Sequence, residues 1–141
     1  MNSVPAEIFR AYDIRGVVGK TLTQAIVRLI GQAIGTASIA KGAPRVAVGR
    51  DGRLSGPELQ AALSDGLTAS GAGVIDLGMA PTPVGYFAAH HLGCGSVVML
   101  TGSHNPPDYN GLKVVIAGET LHGEAIQALR ARIESNDLAQ G

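Results

Sequence analysis

The chain has 141 residues, the length of one domain. Its 11 Lys and Arg offset its 11 Asp and Glu, aromatics are 4% and tryptophan is absent, which argues against a nucleic-acid surface and against an anionic-membrane patch. The lone Cys94 cannot close an internal disulfide, and the first residues lack the basic and apolar regions of a signal peptide, so a cytoplasmic setting is expected.

Residues 8–15 read as a short strand or extended entry that ends at Gly16. A helix is predicted from Thr21, where Thr21 and Gln24 have capping-box spacing. Leu22, Ile26, Leu29, Ile30, Ala33 and Ala37 then form one apolar stripe. Thr23, Gln24, Gln32, Thr36 and Ser38 interrupt what would otherwise resemble a spanning segment. Gly31 and Gly35 cost helix stability, roughly 1 kcal/mol each against Ala, and point to close packing on a sheet. Lys41-Gly42 ends the helix.

Residues 45–49 read as a strand running into the polar loop Arg50-Asp51-Gly52-Arg53. Taken alone, Asp51 reads as a loop cap and Arg53 as a solvated charge. Ser55-Gly56-Pro57-Glu58 opens a second helix, with Ser55 as cap and Glu58 reaching back. Leu59, Ala62, Leu63 and Leu67 form its buried stripe, and residues 74–77 form the next strand. Pro81-Thr82-Pro83 marks a turn before a third helix over residues 84–92, with Phe87, Ala88 and His91 along one side. His90 and His91 are adjacent, so on a helix they point apart and make a poor metal pair.

Ser96-Val97-Val98-Met99-Leu100 reads as a buried strand. It delivers Thr101-Gly102-Ser103-His104-Asn105-Pro106-Pro107, a polar turn that presents a serine at a sheet edge, where ligands collect in α/β folds. Residues 107–111 have turn composition, and residues 112–116 form a further strand. The step from Leu100 to Leu112 is too short for a crossover helix, so that pair should be antiparallel. A last helix, about residues 123–134, carries Ile126, Leu129 and Ile133. The expected fold is a three-layer α/β/α sandwich with a mixed, mostly parallel sheet over residues 1–135, and residues 136–141 start a linker.

Four polar clusters lie at element ends: residues 12–15, residues 50–53, residues 101–105, and Lys113. A phosphoryl group on Ser103 would add a charge of roughly −1.5 to −2 and would need cations or N–H donors around it. Arg15 offers a planar fork suited to phosphate, and Lys113 a compact charge. A Ser-His-Asp hydrolase fits poorly: His104 is adjacent to Ser103, and no Gly-x-Ser-x-Gly elbow is present. The Walker pattern is also absent.

In order along the chain, Phe9-Arg10-Ala11-Tyr12-Asp13-Ile14-Arg15-Gly16, Val48-Gly49-Arg50-Asp51-Gly52-Arg53, Thr101-Gly102-Ser103-His104-Asn105-Pro106 and Asn110-Gly111-Leu112-Lys113 resemble the first domain of the α-D-phosphohexomutases, most closely the bacterial phosphomannomutase/phosphoglucomutase group. The resemblance implies that Ser103 cycles through phosphoserine. It would exchange its phosphoryl group with a mannose or glucose monophosphate through a bisphosphorylated sugar. Arg15, Lys113 and His104 would then be catalytic, and Tyr12, Asn105 and Thr101 would contact substrate. Mg²⁺ would bind partly through the Ser103 phosphate, with its other ligands from a second domain. The resemblance also implies that domains 2–4 are absent from this chain, so the fragment alone would be inactive and its partners would be those domains and the sugar phosphate. A phosphoglucosamine mutase domain and a non-catalytic phosphosugar-binding module are the alternative readings.

Overall fold

The computed structural model describes residues 4–102 and 105–141; Ser103 and His104, two of the predicted site residues, lie outside the described residues. A six-stranded sheet has the path β1-β5-β4-β2-β3, with β6 also paired to β5. The strands are β1 (Ile14–Val17), β2 (Arg45–Arg50), β3 (Gly73–Met79), β4 (Ser96–Leu100), β5 (Tyr109–Ile116) and β6 (Glu119–Thr120). The pairings β2–β3 and β2–β4 are parallel, whereas β5 is antiparallel to β1, β4 and β6. Among the described strands, β5 alone runs against the others. The short step after Leu100 imposes that reversal, and Leu100 pairs directly with Leu112.

Helices cover both faces unequally: α1 (Gln24–Ala40), α2 (Gly56–Ala69) and α4 (Glu124–Glu134) on one, α3 (Thr82–His91) on the other. Strand side chains alternate, so Val46, Val48, Val98, Leu100, Leu112 and Val114 join the larger core. Ala47, Val97 and Met99 face Ala89 and Cys94 in the smaller one. Among the described residues, no helix is long and apolar enough to cross a membrane.

Several local expectations change. Residues 8–15 do not form one strand; a 3-10 turn at Ala6–Ile8 precedes β1, and Gly16 lies inside that strand. A Cβ on Gly16 would come 2.7 Å from Thr21 Oγ1 and 3.0 Å from Ile8, so bare backbone is needed there. The α1 cap is Thr23, whose Oγ1 accepts from the Ile26 N–H at 3.2 Å. Thr21 accepts from the Val17 N–H instead, at 2.9 Å. Gly31 and Gly35 pack against α2 rather than the sheet, and Gly66 of α2 packs back on α1. α1 is therefore buried on more than its predicted stripe, including Val27 and Ile34. Ser55 makes no side-chain cap; its Oγ accepts from Asn110 Nδ2 at 2.9 Å.

β5 starts at Tyr109 rather than Leu112, because residues 109–111 pair with β1. α3 starts at Thr82, and its buried residues are Gly85 and Ala89, small enough to lie against Met99. Phe87 is exposed, stacked on His91 with ring centroids 6.2 Å apart. Residues 136–141 run back over α1 and α2: the Ala139 N–H donates to Thr36 Oγ1 at 2.9 Å, and the Gly141 N–H to the Ala69 carbonyl at 3.0 Å.

Candidate functional site

β2 and β4 are parallel neighbours with Arg50 beside Leu100, so the loops that follow them emerge at one sheet edge. The Asp51 N–H donates to the Leu100 carbonyl at 2.9 Å and ties the loops together at their roots. The Asp51 carboxylate continues the tie. Its Oδ2 accepts from the Gly102 N–H at 2.9 Å, and its Oδ1 from the Arg53 N–H at 3.1 Å.

Arg53 crosses to the second loop. Its Nη1 donates to the carbonyls of Pro106 at 2.6 Å and Tyr109 at 3.1 Å, and its Nη2 to the Asn105 carbonyl at 2.8 Å. Its Nε lies 3.6 Å from Asp51 Oδ2. Only a rigid planar fork of donors can reach three carbonyls in this way. The guanidinium passes over Gly102 so closely that a Cβ there would overlap it. Asn105 bonds back to Gly102: its backbone N–H and its Nδ2 both donate to the Gly102 carbonyl at 3.0 Å. Beneath the loop, the Thr101 N–H donates to the Gly111 carbonyl at 2.9 Å. The result is an open pocket of about 430 Å³ lined by Asp51, Gly52, Arg53, Leu54, Asn105 and Pro107.

Arg15 on β1 stands opposite Gly111 of β5, and Lys113 lies two residues further along β5, so Arg15 and Lys113 share a sheet face. Gly111 places no side chain between them, and a Cβ there would come 2.6 Å from the Ile14 carbonyl oxygen. Arg15 is largely buried. It pairs with Asp13 through Nη2, while its Nε is buried without a hydrogen-bond partner among the described residues. Lys113 is half-buried opposite Met99. Thr101 is buried at the loop root, and Tyr12 is 79% exposed.

Asp51 and Arg53 do more than the loop cap and solvated charge expected of them. Asp51 holds the neighbouring loop as well as its own, and Arg53 is a clamp rather than a solvated charge. Their membership in the matching segment at residues 50–53 was the available signal. Behind them, Arg50 Nη1 donates to Gln60 Oε1 at 2.6 Å, and Gln60 Nε2 to Asp76 Oδ1 at 2.7 Å. The Gly78 N–H, then Gln60 and more weakly Arg50, hold the Asp76 carboxyl below its ordinary range.

Among the described residues, no three His, Cys, Asp or Glu side chains converge as a metal site. Asp51 and Asp13 are already engaged by N–H donors and by Arg15. These residues do not supply the oxygen cage that Mg²⁺ takes.

Residues 6–140 match the profile of the family described as phosphoglucomutase/phosphomannomutase, alpha/beta/alpha domain I. Over 139 residues the chain is 66% identical to a phosphomannomutase/phosphoglucomutase of Pseudomonas aeruginosa, covering 99% of this chain and 30% of that protein. A phosphoglucomutase of Neisseria meningitidis is 56% identical over 136 residues, covering 96% and 30%. The crystal structure of a phosphoglucomutase/phosphomannomutase family protein from Burkholderia thailandensis matches with a TM-score of 0.93 at 51% identity, over 99% of this chain and 32% of that one. The chain thus spans about 30% of the length of the curated relatives it matches.

Proposed function

The chain belongs to the phosphoglucomutase/phosphomannomutase family, matching its domain I, and from that premise we propose that it is the serine-bearing domain of a mutase interconverting hexose 1-phosphates and hexose 6-phosphates. Ser103 carries the phosphoryl group. It passes that group to the free hydroxyl of a mannose or glucose monophosphate, leaving a free serine and a bisphosphorylated sugar. The sugar turns over, and its other phosphoryl group returns to Ser103, so no phosphate is consumed. Arg15 and Lys113 hold the reacting phosphate and assist proton transfer, with His104 completing the catalytic loop. Thr101, Asn105 and Tyr12 contact the sugar phosphate. Such chemistry asks the protein for positioning and charge rather than for covalent novelty.

The observation that carries this reading is the anchoring of Gly102 and Asn105, the neighbours of the Ser103–His104 pair, beside a sheet face that holds Arg15 and Lys113. Mg²⁺ belongs to the proposal only through an oxygen of the Ser103 phosphate. Its carboxylate ligands and the sugar selectivity are assigned to further domains of the longer enzyme, which works in the cytoplasm.

The test is to load the full-length protein with a bisphosphorylated hexose and map the phosphopeptide. Phosphate is expected on Ser103, and Ser103→Ala should abolish turnover. Phosphate found only elsewhere, or a fully active Ser103→Ala protein, would overturn the reading. The isolated 141-residue chain should fold yet show no mutase turnover in a coupled assay.

A further inference from the structure

We propose that Arg53 is a positioning residue: it acts through the backbone carbonyls of Asn105, Pro106 and Tyr109 to hold the carrier serine in line for transfer, an inference that rests on the Ser103 reading above. Ser103 and His104 are bracketed in sequence by two anchored residues. On one side, Gly102 is held through its N–H by Asp51 Oδ2 and through its carbonyl by Asn105. On the other, the carbonyls of Asn105 and Pro106 are both held by the Arg53 guanidinium, which also reaches Tyr109 at the start of β5. One side chain therefore ties together the turn, the segment after it and the strand that leads to Lys113.

The choice of acceptors matters. Among the described residues, Arg53 gives its Nη donors to three neutral carbonyls, and Asp51 Oδ2 lies a loose 3.6 Å from its Nε. A surface ion pair would be an exchangeable contact of little energy. Three carbonyl bonds from one planar group instead fix a backbone shape, and the Arg53 side chain is only 16% exposed. Gly102 completes the arrangement, because any Cβ at that position would push the guanidinium off the turn.

Misplacing a reacting group by about 1 Å costs on the order of 100-fold in rate. In the full-length protein, Arg53→Met is therefore expected to lower kcat by about that factor with KM within about twofold of wild type. Arg53→Lys should recover only a minor part, since an ammonium is a point charge that cannot bridge three carbonyls. Amide exchange across residues 102–109 should speed up in Arg53→Met and not elsewhere.

A wild-type kcat in Arg53→Met overturns the proposal when phosphate is found on Ser103. Unchanged exchange at residues 102–109 overturns it whatever the turnover. Equal loss of kcat and thermal stability, fully restored by Arg53→Lys, would make Arg53 merely structural and also overturn it. Absence of phosphate on Ser103 in loaded wild-type protein defeats the underlying reading instead, and is scored separately from the exchange result.

Discussion

Glycine creates close approaches in two regions, and they behave differently. Along the α1–α2 seam, the space for a Cβ on Gly31 is filled by the Leu63 carbonyl, and that on Gly66 by the Arg28 carbonyl. At the loop edge, the space for a Cβ on Gly102 is filled by the Arg53 guanidinium. The seam obstacle is helix backbone, which can yield only by moving a whole helix. The edge obstacle is the end of a flexible side chain, which can swing away. The same residue type thus protects global packing in one place and a local geometry in the other.

Gly66→Ala breaks the comparison most strongly. The added methyl overlaps the Arg28 carbonyl, so α1 and α2 must separate and lose contacts between Val27, Ile30, Leu63 and Leu67. The expected loss is about 3 kcal/mol, read by thermal melting as a fall in Tm of roughly 10 °C. A Tm within a degree or two of wild type would mean that the seam is pliable. Gly102→Ala is the matched substitution at the edge. Its methyl displaces the guanidinium and costs about 1 kcal/mol of hydrogen bonding, while mutase turnover of the full-length protein falls by about 100-fold. The comparison fails if Gly102→Ala lowers Tm as far as Gly66→Ala does.

Both regions were unequally legible in the sequence. The alternation of short apolar runs with helical stripes foretold the sheet and its helices, and the brief step from Leu100 to Leu112 foretold the reversed strand. Those signals are local, set by side-chain period and chain length. The partner of Gly31 and Gly35 was not legible, because a glycine records that something comes close without recording what. Thr21 and Thr23 are both chemically able to cap a helix; the turn bridged by Val18 and Leu22 engages Thr21 Oγ1 with the Val17 N–H and leaves the cap to Thr23. At the site, the serine loop was visible as a run of turn residues after a buried strand. The roles of Asp51 and Arg53 were not, since their partners, an N–H donor for Asp51 and carbonyl acceptors for Arg53, are backbone groups about fifty residues away and carry no side-chain signature.

The smallest expected effect is a pH dependence at the loop edge. The seam contacts at Gly31 and Gly66 involve carbonyls and do not titrate. Beside the edge, Asp76 is bonded by the Gly78 N–H and Gln60, with Arg50 nearby, and its folded pKa is lowered from 3.8. A lowered folded pKa means that the folded state binds the proton less readily than the unfolded chain. The stabilisation is therefore present above the unfolded value and is lost as pH falls through the lowered folded one. Because this carboxylate is exposed, solvent screens the effect and keeps it small. Asp76→Asn should be slightly less stable than wild type near neutral pH, and the two melting curves should converge as the pH drops below 3.8. A difference that stays constant down to the acid limb would show that Asp76 contributes through shape rather than charge.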